Sequence, residues 1–134
     1  MTLVQLTPDG TYKRTLPFYT TVDSYMDYNT LKLAVDARDE LTVFGLFSKR
    51  LQLDESTILE IPNTNYRDGF VARFDAMAKL KWYTCIGGYH DQRVSDLVVA
   101  PDGSCYFTGN WSFEVQTKHR GLALANAPFP IYYG

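Results

Sequence analysis

The residues with the right chemistry for a reaction are few and scattered. His90-Asp91, with Arg93 two positions on, puts an imidazole, a carboxylate and a guanidinium into one short connector, the ingredients of an acid–base pair. No nucleophile accompanies them, because Ser95 and Ser104 stand in no Gly-x-Ser-x-Gly elbow. A polar connector is therefore the expected role, against a hydrolase using His90 and Asp91. Asp9-Gly10, Asp68-Gly69 and Asp102-Gly103 lack the repeated acidic positions of a calcium loop. They read as turns, in which Asp bonds its own backbone and Gly supplies positive φ. Cys85 and Cys105 are too few for a disulfide scaffold and lack metal-ligand spacing, so free buried thiols are expected. Lys118-His119-Arg120 reads as a small basic cluster on a solvated loop. The sequence gives no reason to assign a catalytic residue, a metal ligand or a cofactor.

Aromatic residues offer a different chemistry. Tyr19, Tyr25, Tyr28, Tyr66 and Tyr89 fall in loop-like stretches, with Asp23, Asp27, Asp68 and Asp91 nearby. An aromatic face with a polar tip suits a sugar ring. The competing reading is that these tyrosines fill space between strands and bond loop backbone. For a glycan ligand the candidate binding residues are Trp111, Tyr106, Tyr66 and Tyr89.

The elements that must position these residues follow from composition and pattern. The chain has 134 residues, the size of one domain. Its 13 basic and 15 acidic side chains leave a net charge of −2, which gives no electrostatic footprint for nucleic acid. Hydrophobic residues at 46% exclude a disordered chain, and no apolar run reaches membrane-spanning length. The N-terminus has no basic start followed by an apolar core, so no export leader is expected. Ten Tyr, eight Phe and two Trp, with frequent Thr and Val, favour pleated sheet over helix.

Apolar runs separated by turn signals predict eight strands: 3–6, 12–19, 31–35, 41–47, 70–75, 80–86, 94–100 and 105–111. Residues 23–29 read as a loop, and 54–65 as a long loop with one short extended piece. The run 94–100 is apolar at adjacent positions, as in a buried inner strand. The one window with helical spacing is 69–81, through Phe70, Phe74 and Met77.

Self-comparison adds an internal repeat. Leu33 to Gly45 aligns with Leu97 to Gly109 at an offset of 64 residues (Val35 to Val99). Leu6 to Lys13 aligns with Phe74 to Lys81 at an offset of 68 (Leu6 to Phe74). The order is therefore second hairpin, first hairpin, second hairpin, first hairpin. Residues 3–18 supply a C/D strand pair, 31–86 a full four-stranded unit and 94–113 an A/B pair. Residues 114–134 are left as an irregular tail.

Phe70-Val71-Ala72-Arg73-Phe74-Asp75, Leu80-Lys81-Trp82, Gly87-Gly88, Leu97-Val98-Val99-Ala100-Pro101-Asp102-Gly103 and Tyr106-Phe107-Thr108-Gly109 together resemble the bacterial β-propeller repeat called SBBP. The likeness runs best over 70–111. It departs where Asp39 and Ala78 replace turn glycines and where Ala100-Pro101 replaces Val-Asp. The resemblance implies an all-β, propeller-like chain of about two four-stranded blades. It implies no catalytic residues, and a scaffolding or binding role in bacterial surface or secreted proteins; a virion assembly is expected only on the small size and the lack of a leader. Two blades cannot close a ring, so completion by another chain is expected, as a homo-oligomer or part of a larger assembly. The alternative expectation is a small oligomeric propeller lectin with the four aromatic residues named above.

Overall fold

The computed structural model describes residues 2–17, 19–20, 26–61, 66–87, 93–110 and 116–120. Twelve strands occur among them and no helix: β1 (Thr2–Leu6), β2 (Tyr12–Pro17), β3 (Tyr19–Thr20), β4 (Met26–Val35), β5 (Leu41–Phe47), β6 (Arg50–Gln52), β7 (Ile58–Glu60), β8 (Asp68–Phe74), β9 (Leu80–Gly87), β10 (Arg93–Val99), β11 (Cys105–Asn110) and β12 (Gln116–Arg120). The helical alternative over 69–81 is overturned. That window is β8, a turn and the start of β9, because Phe70, Ala72 and Phe74 alternate along an extended chain.

The centre of the fold is an antiparallel sheet in the order β12-β9-β8-β5-β4. Four of its strands, β4, β5, β8 and β9, come from residues 26–87, with β6 and β7 between them in a separate sheet, and the fifth is β12. Both faces of this sheet are covered over β5 and β8, whereas Leu33 and Val35 on β4 stay exposed. On one face Leu41, Val43, Phe47, Phe70, Ala72 and Phe74 pack with Leu3 and Leu16 of the β1–β2 hairpin and with Leu51 and Leu59 of the small β3-β6-β7 sheet. On the other face Phe44, Leu46, Val71 and Ile86 pack against Leu97, Cys105 and Phe107 of the β10–β11 hairpin. The Phe44 and Phe107 rings stand 4.9 Å apart, centroid to centroid. Double coverage explains why every residue of β5 is buried.

Four hairpin turns carry the repeat into three dimensions. Residues 7–11, 36–40, 75–79 and 100–104 share one hydrogen-bond pattern. The first N–H donates to the carbonyl four residues on, and the fourth N–H donates to the first carbonyl, at 2.8 to 3.1 Å. This is the type I turn closed by a left-handed residue. That residue is Gly10 (φ 86), Asp39 (φ 60), Ala78 (φ 70) and Gly103 (φ 89), at the sequence offsets of 68 and 64. The strand bulge at Gln5/Leu6 recurs at Arg73/Phe74, again 68 residues on.

Several expectations need correction. Residues 26–29 open the long strand β4 and are not loop. The short extended piece within 54–65 is β7, but β6 was not foreseen, and β3, β6 and β7 make a separate sheet. The tail is not irregular throughout: Lys118-His119-Arg120 lie on β12, paired with Cys85, Thr84 and Tyr83 of β9. A charged sequence suits that place, since β12 is a sheet edge. The run 94–100 is no buried inner strand. Leu97 is buried, while Ser95, Asp96 and Val98 face outward because only one face of the β10–β11 hairpin is covered. No closed ring of blades is formed by the described residues.

Candidate functional site

Two features stand out from the packing, a buried charge cluster and a pair of uncovered hairpin faces. The cluster begins with Arg73, on the otherwise apolar strand β8 and only 2% exposed. A guanidinium there must be fully partnered. Its Nε donates to Glu40 Oε2 at 2.8 Å, Nη1 donates to the Gly103 carbonyl at 2.9 Å and to Thr42 Oγ1 at 3.4 Å, and Nη2 donates to Asp36 Oδ2. Lys81 Nζ completes Glu40 through Oε1 at 2.6 Å. Arg38 bridges Asp36 at 3.2 Å from the exposed side. No buried polar side-chain atom lacks a hydrogen-bond partner among the described residues.

The carboxylates of this cluster are held ionised. Burial pushes the Asp36 carboxyl up, but N–H donation from Glu40 and Arg38 and the guanidiniums of Arg38 and Arg73 outweigh it, so it sits below the usual carboxylate range. Glu40 is lowered by its hydrogen bonds to Lys81 and then Arg73, against its desolvation. Acids pinned in this way make poor proton donors at neutral pH. What the geometry does is mechanical. Arg73 ties the β8 strand to the β10–β11 turn through the Gly103 carbonyl. Gly103 suits that point, because the position has a left-handed φ and a Cβ there would stand 3.2 Å from the buried Arg73 Nη2. A parallel tie on the opposite face runs from Arg14 to the Ala76 carbonyl in the β8–β9 turn, with Arg14 Nε donating to Gln5 Oε1 at 2.6 Å.

The uncovered faces belong to the first and last hairpins. On β1–β2 the outward residues are Val4 (52% exposed), Leu6 (55%) and Tyr12 (61%). On β10–β11 they are Val98 (58%) and Tyr106 (65%), which stand directly opposite each other in the ladder. Large apolar side chains paired on an open sheet face are the usual mark of a surface that meets another surface.

The four glycan candidates fare differently. Tyr106 sits on that flat outer face. Tyr66 lies, partly buried, at the bend before β8. Trp111 and Tyr89 lie outside the described residues, as do His90 and Asp91 of the acid–base pair. A cleft of about 180 Å³ between the β1–β2 hairpin and the β4 edge is lined by Leu3, Leu16, Leu33 and Val35, with none of the candidate aromatics. That volume is below the range of ordinary small-molecule sites, roughly 300–1,000 Å³. Cys85 and Cys105 are both free of disulfides and pack in the clusters on opposite faces of the central sheet. Burial raises the Cys105 thiol above its usual value, partly offset by Arg73. No group of three or more His, Cys, Asp or Glu that could hold a metal occurs among the described residues. No described helix is long and apolar enough to cross a membrane.

Arg73 was not singled out by sequence reasoning, although a signal exists. It is the one charged residue in Phe70-Val71-Ala72-Arg73-Phe74. The acidic partners were visible too, at Asp36 and Glu40 in a strand-connecting turn.

Comparison with known protein families, with curated proteins and with solved structures finds no match to this chain.

Proposed function

We propose that this chain is a non-catalytic association module, built from propeller-type blades, that works by joining other chains into a larger assembly. One observation carries the reading: among the described residues, each end of the layered sheet is a two-stranded hairpin with an unpaired edge and an apolar outward face. The antiparallel neighbours β4-β5-β8-β9 have the strand number and pairing order expected of one blade, with β6 and β7 inserted between β5 and β8 and β12 added beside β9, and each flanking hairpin supplies the two strands of a half blade. The repeat offsets and the SBBP resemblance support this assignment, and with it a place in a bacterial surface assembly.

The test is native mass spectrometry of the chain and of the double variant Val4→Glu/Val98→Glu. Both substitutions sit on exposed positions, so the fold should change by no more than about 0.5 kcal/mol in urea titrations. The wild-type chain is expected at multiples of 15.3 kDa and the variant at one. A wild-type chain that stays monomeric to about 100 μM, far above the usual dissociation constants of specific interfaces, and whose β1 and β11 amides are already protected from hydrogen exchange at their outer edges, refutes the reading.

A further inference from the structure

The end hairpins match each other closely enough to name the partner. Resting on the association reading, we infer that the partner is a second copy of this chain, joined head to tail, with β11 of one copy pairing antiparallel to β1 of the next in a fixed register.

The template lies inside the chain. In the central sheet β5 pairs with β8, with Leu41 opposite Phe74, Val43 opposite Ala72 and Gly45 opposite Phe70. Strand β11 is the repeat equivalent of β5, 64 residues on, and β1 is the equivalent of β8, 68 residues back. Carrying the pairing across places Cys105 opposite Leu6, Phe107 opposite Val4 and Gly109 opposite Thr2 of the next copy.

Burial checks this register independently. Opposite residues in a sheet share a face, and a slip of one residue reverses it. Phe107 faces the central sheet of its own copy, whereas Val4 and Leu6 face away from theirs. In the joined sheet Val4 and Leu6 therefore fall on the Phe107 face and cover the first copy's central sheet. Tyr106 and Val98 fall on the Leu3 and Leu16 face and cover the second copy's. The large apolar side chains exposed on the mating strands are thus buried by one contact.

The edges point to the same pair. Exposed strand edges are normally guarded by charge, by proline or by being very short. Here β2 carries Lys13, Arg14 and Pro17, β4 carries Asp27 and Lys32, β10 carries Arg93 and Asp96, β12 carries Lys118 and Arg120, β7 carries Glu60, and β3 has two residues. Only β1 and β11, among the described edge strands, have neither charge nor proline over five or six residues. Those are the two strands the template joins. A contact between unlike surfaces repeats until it closes. With about two blades per copy, three or four copies give the six or eight blades at which propellers close.

The register is tested by cross-linking the full chain. Leu6→Cys places a thiol opposite native Cys105 of the preceding copy. Directly opposite residues have Cα atoms about 4.5–5.5 Å apart, inside the disulfide range. Thr15→Cys, exposed on the same outward face but one strand further from the edge, is the control. Mild oxidation is expected to give reductant-sensitive species at multiples of the chain mass, about tenfold more than in the control. The linked peptides should contain position 6 and Cys105, and native mass should show three or four copies. Association without that link overturns this inference and leaves the association reading standing. A monomer overturns this inference, and a monomer whose β1 and β11 edges are already protected by its own chain overturns both.

Discussion

Replacing Arg73 by leucine removes the guanidinium that joins the central sheet to the β10–β11 turn. Four acceptors lose a donor at once: Glu40 Oε2, Thr42 Oγ1, the Gly103 carbonyl and Asp36 Oδ2. Breaking a buried ion pair from one side costs about 3–5 kcal/mol, because the remaining charge is left without compensation. Lys81 stays on Glu40 and Arg38 stays on Asp36, so the lower end, about 3 kcal/mol, is the expected loss. With a urea slope of about 2 kcal/mol/M for a domain of this size, the midpoint should fall by about 1.5 M. Amide hydrogen exchange adds a local readout. Protection should fall first in β10 and β11, whose turn the guanidinium holds, and last in β5 and β8, which are covered on both faces. A double variant, Arg73→Leu/Glu40→Leu, removes a stranded carboxylate and should recover part of the loss. A midpoint within about 0.3 M of wild type, or exchange that rises evenly across all strands, would refute the clamp.

Two further outcomes follow from the same geometry. Ala78 occupies the left-handed turn position that Gly10 fills 68 residues earlier. Left-handed backbone costs an alanine about 1–2 kcal/mol, and glycine returns about 0.5–1 of that as chain entropy. Since Ala78 also packs against the core, Ala78→Gly should stabilise by about 0.5 kcal/mol and raise the melting temperature by about 2 °C. An unchanged or lower value in calorimetry would count against the strain. Acid should act through Asp36 and Glu40, whose folded values lie below the ordinary 3.8 and 4.5. A lowered carboxylate contributes stability above its unfolded value and loses it as pH falls through the folded one. Urea midpoints should therefore hold steady down to about pH 4.5 and drop below it, with a shallower drop in Arg73→Leu. Equal slopes for the two proteins would contradict the assignment.

The hairpins were legible where turn chemistry and alternation agreed. Thr7-Pro8-Asp9-Gly10 and Pro101-Asp102-Gly103 announce their turns, and Leu31, Leu33 and Val35 alternate as a half-covered strand does. The turns at Asp39 and Ala78 carry no glycine, so they are placed by the strands on either side of them, with the internal offset in support. What escaped notice had no apolar signal. Arg50-Leu51-Gln52 buries one residue in three, and Lys118-His119-Arg120 is an edge strand whose charge imitates a loop. Strand β10 erred in the other direction. Val94, Leu97, Val98 and Val99 read as buried on both faces, yet one face is open, and a sequence cannot distinguish a face covered by its own chain from one awaiting another. The charge cluster was split across three segments, 36–40, 73 and 81, so its members met only when β5, β8 and β9 lay side by side.

The two arginine ties show how the layers are related. Arg14, on β2, reaches forward to the Ala76 carbonyl in a turn of the central sheet, and Arg73, on β8, reaches forward to the Gly103 carbonyl in the turn of the last hairpin. Each layer therefore presents one kind of face to the layer before it and another to the layer after it. In the central sheet the backward face is Val43, Ala72 and Phe74, and the forward face is Phe44, Leu46 and Val71. A direction of this sort has a physical consequence. A mirror-like dimer would set two backward faces or two forward faces together, and nothing inside the chain has selected side chains for either match. A head-to-tail contact reuses the match already made twice within each chain, so its shape complementarity is inherited from the packing of the fold itself. The edges follow the same direction: β1 and β11, which the internal template joins, carry no charge, whereas β2, β4, β10 and β12, which it leaves without a partner from the next copy, carry it.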